Sequence, residues 1–285
     1  MTRSTSPEAK VARRSVLPRH VLPGFGLSLG FTVLYLSFLV LIPLAGLVWK
    51  ASGQGLDDFV RVTTSDRALA AYRVTLVCSI AAALINGFFG TILAWVLVRY
   101  SFPGRRILDA MVDFPLALPT AVAGLTFTSL YVPQGWIGQY TNMFGVRVAF
   151  TQLGIIVVLT FIALPFVVRT VQPVIQAFEF DVEEAAATLG ASRLQILRRI
   201  IFPALLPAVL TGVTLGFARA VGEYGSVIFI AGNIPRKTEI GPILVVFQLE
   251  EFNYAGAAAI AIVLLFGSFL TIGALNLVTR SVRRV

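Results

Sequence analysis

Arg219 and Glu223 stand inside an otherwise apolar stretch, FARAVGEYGSVIFIAGN, over residues 217–233. Four positions apart, they share one face of a helix and are spaced for an ion pair. An ionised group at the centre of a membrane-crossing helix is unfavourable by about 3 kcal/mol, so such groups face a bundle interior or a water-filled route. Two readings stay open. The pair ties helices together, or it lines or gates a polar path near Gly222, Tyr224, Gly225 and Ser226. Arg219 would attract a divalent oxyanion, but Glu223 beside it offsets much of that field. Covalent chemistry finds little support elsewhere. One histidine, His20, and one cysteine, Cys78, cannot build a zinc site. There is no Ser/His/Asp set, and no G-x-x-x-x-G-K-[ST] phosphate loop occurs. The chain is therefore not expected to be an enzyme, nor to hold a metal or cofactor of its own.

A second polar stretch, EEAAATLGASRLQILRRIIFP, covers 183–203. Asp181 is placed to cap a helix, with Glu184 three residues on in the capping-box position. Glu183 and Glu184 sit at the positive end of that helix's dipole. Ala185, Ala186 and Ala187 favour helix and carry little bulk. Gly190 permits the left-handed residue that ends it. Ser192 and Gln195 form a second capping box, starting a helix over 193–201 that Pro203 closes. The segment is too polar to span a bilayer. It is either a docking element for another protein or an interfacial helix-turn anchoring two spans.

The elements that must position both stretches are apolar. Of 285 residues 57% are hydrophobic and 13% charged, with mean hydropathy +0.85; a soluble domain carries about a quarter charged residues. Long apolar runs recur, whereas the alternating ten-residue segments of a membrane barrel are absent. The fold class is an all-α polytopic membrane protein. Six spans are predicted, near 25–49, 72–98, 114–132, 153–168, 204–231 and 255–278, the third and fourth interrupted by proline. The net charge of +9 would raise nucleic acid as a partner of a soluble chain; here it reads as positive-inside loading. Fifteen Lys and Arg fall with the N-terminal tail, the 99–112 loop, the 169–203 segment and the C-terminus, against seven on the other side. Both termini and the 179–203 segment are thus placed in the cytoplasm. The first span, although preceded by a basic tail, is longer than a signal-peptide core and reads as uncleaved. The organisation is a tail over 1–24, a six-span domain over 25–278 and a tail over 279–285.

The 183–203 stretch resembles the EAA segment of ABC importer permeases: E-A-A, three residues, G, nine residues, then I-x-L-P. Glu184, Ala185, Ala186, Gly190, Ile200 and Pro203 carry it, with Phe202 where the pattern has Leu. The resemblance implies a type I importer permease fold and a coupling helix that docks on a separate ATPase. Glu183, Glu184, Ala185, Ala186, Gly190, Ile200 and Pro203 would be the ATPase-coupling residues. The run F-A-R-A-x-G-E-[FY]-G at 217–225 resembles sulfate- and molybdate-type permeases. The runs at 113–125, 164–175 and 234–261 are similar to sulfate/thiosulfate permeases of CysT (CysU) type. That likeness implies a second permease subunit of CysW type, an ATP-binding dimer of CysA type carrying ATP and Mg, and a periplasmic sulfate- or thiosulfate-binding protein. The setting would be a bacterial-type inner membrane. Arg219, Gly222, Glu223, Tyr224, Gly225 and Ser226 are then expected along the translocation path. The alternatives are a molybdate or tungstate permease, a non-transporting scaffold and an ion-coupled secondary transporter.

Overall fold

Between residues 66 and 99 small residues recur at three- and four-residue steps. Ala71, Cys78, Ala82, Asn86, Gly90 and Ala94 are buried, while Leu69, Leu84, Phe88 and Phe89 are exposed. A soluble helix hides its large apolar side chains. Here they face outward, as they do where lipid is the solvent and small residues let helices approach. In the computed structural model, which describes residues 24–178 and 180–282, the stretch is one helix. Ser65 caps it, its side chain accepting the Ala68 N–H at 3.3 Å.

In chain order the elements are α1 (Phe25–Ser52), α2 (Leu56–Thr63), α3 (Asp66–Arg99), α4 (Arg105–Ala117), α5 (Thr120–Tyr131), α6 (Gly138–Met143), α7 (Gln152–Ala177), α8 (Phe180–Thr188) and α9 (Arg193–Ile196). A π-helical turn (Leu197–Ile201) joins α9 to α10 (Phe202–Val221), followed by α11 (Val227–Ile230), α12 (Gly241–Glu250) and α13 (Tyr254–Val282). Among the described residues there is no strand. Five helices are long and apolar enough to cross a membrane, and the bent pair α4–α5 makes six if counted as one span. The chain divides into two units at Gly46. Up to Gly46 the described part is the apolar body of α1; Leu47–Val285 holds the rest.

In the second unit α3, α7 and α10 pack on one another around glycine. A Cβ on Gly212 of α10 would lie 2.9 Å from the Val167 Cα of α7, and one on Gly87 of α3 would lie 2.7 Å from Val213 Cγ2. Backbones this close leave no room for a methyl group. A buried amide between α3 and α7, on Asn86, donates from Nδ2 to the Thr160 carbonyl at 2.9 Å.

Several boundaries differ from expectation. The third span is not straight: α4 and α5 meet at 110°. Pro119 lacks an N–H, and its ring drives Leu118 out of the helical region, to ψ 130°. The fourth runs on through Pro165 and Pro173 to Ala177. The fifth starts earlier and stops earlier than 204–231, because Pro203 does not close the preceding helix. The turn widens instead, the Phe202 N–H donating to Leu197 O five residues back, and the helix continues to Val221. Asp181 lies inside the first turn of α8 rather than capping it. Arg67 and Arg73, counted as outer-loop charges, lie in α3; Arg99 and Arg169, counted on the other side, lie in α3 and α7. The basic residues of 1–23 and those of 283–285 lie outside the described residues.

Candidate functional site

The structure gathers the expected residues at two places along one helix. The α8–α9 hairpin stands before α10 and the Arg219–Ser226 group closes it. The twenty residues of α10 put about 30 Å between them.

At the hairpin, Gly190 has φ 86°. Its N–H donates to Ala187 O at 3.0 Å, and the Ala191 N–H donates to Ala186 O at 3.0 Å. This paired closure satisfies the last carbonyls of α8 and needs a left-handed residue at position 190. The Ser192–Gln195 capping box is present. Glu184, Ala185, Ala187 and Leu189 are exposed, Leu189 by 89%. Ala186, Ala191 and Ile200 turn inward against Ile196, Ile201 and Leu205. Glu183 faces the bundle: Arg99, with a side chain only 6% exposed, donates from Nη2 to its Oε1 at 2.6 Å. The Arg99 guanidinium also lies 5.0 Å from the Trp95 ring centroid. Glu183 therefore ties the hairpin to α3, whereas Glu184 and Ala185 look out.

At the far end of α10, Gly222 ends the helix and Glu223 turns back. Its Oε2 accepts from Arg219 Nη1 at 2.5 Å. Its Oε1 accepts from the Ser226 N–H and Ser226 Oγ, each at 3.0 Å. Glu223 is 2% exposed, Ser226 is fully buried, and the Arg219 side chain remains 31% exposed. One carboxylate thus pairs a cation on α10 and caps the start of α11. The break lies against a second break. Gly225 faces Thr120, and Gly124 faces the backbone of Ser226, both at the start of α5 beyond the Pro119 bend. Irregular backbone at membrane depth persists only where protein or a water-lined cavity covers its polar groups. Tyr224 is half-buried, packs on the adjoining core and lines a 380 Å³ cavity with Arg67 and Glu239.

A Cβ on Gly124 would lie 2.7 Å from the Ser226 Cα. Gly124→Ala is therefore expected to push the two breaks apart and lower the melting temperature of the solubilised protein by several degrees, about 1–3 kcal/mol of overpacking. Gly267→Ala, where a Cβ meets nothing within 4 Å, should leave it unchanged. Thermal unfolding followed by fluorescence-detected gel filtration distinguishes the two.

Among the described residues, three ion-pair groups that join separate elements were not expected from the sequence. Arg169 on α7 holds α4: Nε and Nη2 donate to Asp113, and Nη1 donates to Asp109 Oδ1 at 2.7 Å and Gln172 Oε1 at 2.6 Å. Arg67 grips the buried Glu239 with two bonds of 2.8 and 2.7 Å, fixing the 231–240 loop to α3. Arg99–Glu183 is the third. The available signal was charge inside apolar helices, which demands a partner; Asp109 and Asp113, four apart, share one face. Within 233–254 a loop leads into α12, where Ile243 and Leu244 are buried.

A sequence model of the family described as "Binding-protein-dependent transport system inner membrane component" matches residues 86–284. The chain is 48% identical over 272 residues to the sulfate transport system permease protein CysT of Salmonella typhimurium, covering 95% of this chain and 98% of that protein. It is 49% identical over 253 residues to the protein of the same name from Synechocystis, covering 89% and 88%. Among solved structures, a bacterial ABC transporter involved in import of the acidic polysaccharide alginate superposes with TM-score 0.74 at 17% identity, over 90% of this chain and 94% of that one. The MetNI methionine ABC transporter, in an inward-facing conformation, gives 0.53 at 20% identity, over 77% and 99%. At those identities the two structures speak for the fold, that of ABC importer permeases.

Proposed function

The chain belongs to the binding-protein-dependent transport system inner membrane components, and on that premise we propose that it is the multi-pass permease subunit of an ATP-driven importer for sulfate or thiosulfate. A molybdate or tungstate permease is the second reading, favoured only by the shared 217–225 pattern. The likeness to CysT proteins over nearly the whole chain supports the anion. The hairpin supports the coupling: α8, with Ala185, Ala187 and Leu189 exposed, closes at Gly190 and leads into α9, which continues through the π turn into α10.

In this reading a separate ATPase of CysA type, carrying ATP and Mg, seats the α8 helix. Ala185 and Leu189 enter its groove, where small residues permit close approach. Glu184 stands at the positive end of the helix. Closure of the ATPase dimer displaces α8. Because Glu183 is locked to Arg99, the displacement passes to α3; because α9, the π turn and α10 are one continuous helix, it also passes to the Arg219–Ser226 break. The break and the apposed Pro119 bend, packed closely at Gly124 and Gly225, are where opening alternates. A second permease subunit of CysW type completes the path, and a periplasmic binding protein delivers the anion to the side opposite the hairpin. Both termini are cytoplasmic.

Uptake of radiolabelled sulfate and, separately, molybdate in cells lacking only this chain tests the reading. Restoration of sulfate uptake that also needs the ATPase is the expected result. Restoration of molybdate uptake alone would replace the substrate and keep the coupling.

A further inference from the structure

Outside the residues so far assigned, a cavity of 470 Å³ opens between α3, the start of α7 and the 231–240 loop. Its polar lining is Arg73, Arg236 and Gln152, its apolar wall includes Leu69 and Val77, and among the described residues no carboxylate lines it. Among the arginines of α3, α7 and α10, four are matched with a carboxylate: Arg67 with Glu239, Arg99 with Glu183, Arg169 with Asp109 and Asp113, and Arg219 with Glu223. The fifth, Arg73, has no ion-pair partner among the described residues. It lies two turns into an apolar helix, about 10 Å from its start, at an exposed position. A cation there disfavours acyl chains as its surroundings and calls for water or a counter-charge.

Arg236 reaches the same cavity from the loop. Its φ of 64° is in the left-handed region that a side chain rarely adopts. The loop enforces it. The N–H groups of Lys237, Thr238 and Glu239 all donate to Ile234 O, at 3.1, 3.0 and 3.2 Å, and the Ile234 N–H donates to Thr238 Oγ1 at 3.0 Å. The Arg67–Glu239 pair clamps the same loop, and Gln152 Nε2 donates to Lys237 O at 2.8 Å. These contacts hold the loop in place and with it the approach of Arg236 to the cavity.

We propose that Arg73 and Arg236 form an outer anion site that takes a tetrahedral oxyanion dianion on its way into the path; this rests on the anion-import reading above. Two guanidinium forks match the oxygens of such an anion with paired hydrogen bonds. The cavity is roomier than the anion, so water shares it and the hold is weak enough for onward release.

The test uses the complete complex and radiolabelled sulfate at concentrations below saturation. Arg73→Gln and Arg236→Gln are each expected to cut uptake at least tenfold at equal membrane abundance. Arg73→Lys keeps the charge and loses the fork, so its uptake should fall between that of wild type and of Arg73→Gln. Arg147→Gln, whose side chain lines a different cavity, should match wild type. ATP hydrolysis stimulated by the loaded binding protein should stay within twofold in all of them. Uptake within twofold of wild type in both glutamine variants overturns the site. So does loss of binding-protein stimulation in both, which would assign the arginines to docking. Should Arg73→Gln fail to reach the membrane, Arg236→Gln, in a loop, decides alone. If the wild-type chain itself restores only molybdate uptake, the import reading is corrected and the same variants are read with labelled molybdate. If it restores neither anion, the import reading fails and the site with it.

Discussion

Gly190→Val is expected to abolish sulfate uptake while the protein still inserts in the membrane. At φ 86° an L-residue is disfavoured by about 1–2 kcal/mol, and a β-branched one more. A Cβ at this position meets nothing within 4 Å, so the penalty is conformational rather than steric crowding by neighbours. The chain relieves it by giving up the Gly190–Ala187 and Ala191–Ala186 bonds, which re-aims α8 relative to α9. The hairpin would then present Ala185 and Leu189 in the wrong direction to the ATPase. Gly190→Asn should retain much of the uptake, because Asn tolerates the left-handed region. The measurement is labelled sulfate uptake at equal membrane abundance, with co-purification of the ATPase. Wild-type uptake by the valine variant would remove the hairpin from the coupling mechanism.

Arg219→Ala is expected to reduce uptake more than tenfold and to destabilise the protein. It leaves the Glu223 carboxylate, 2% exposed, with only Ser226 as partner. Removing one member of a buried pair costs about 3–5 kcal/mol; with the Arg219 side chain 31% exposed, the lower end applies after solvent screening. The double variant Arg219→Ala with Glu223→Gln removes the stranded charge while keeping an oxygen for Ser226. Its thermal stability should recover by most of the loss. Uptake then separates the two roles that spacing alone leaves open. Uptake that stays low while stability returns places the pair in the transport path. Uptake that returns with stability makes it a tie between α10 and α11.

Both outcomes turn on how much a linear pattern can say. The helix–glycine–helix hairpin was legible because its signals are local: the Ser192–Gln195 box and Gly190 act within a few residues, and both stand in the structure. The capping role given to Asp181 failed for the same kind of reason, since α8 begins one residue earlier and local rules fix helix ends only to within a residue or two. The end of the fifth span was misplaced because the apolar run continues past Gly222. Hydropathy registers composition, whereas the helix stops where Glu223 turns back to meet Arg219 and Ser226.

By itself the sequence determined an all-helical membrane chain with apolar helices joined by a polar hairpin, because burial of backbone polar groups in lipid and the short-range rules of caps and turns act through composition and near neighbours. Tertiary structure alone decided which charges meet. Arg99 with Glu183, Arg67 with Glu239 and Arg169 with Asp109 and Asp113 join residues 56 to 172 positions apart. It also decided that the break after α10 lies against the bend before α5, and that Arg73 and Arg236 share a cavity that no carboxylate among the described residues lines. A charge in a low-dielectric bundle takes its meaning from whatever stands a few ångströms away, and that distance is set by packing among helices rather than by spacing along the chain.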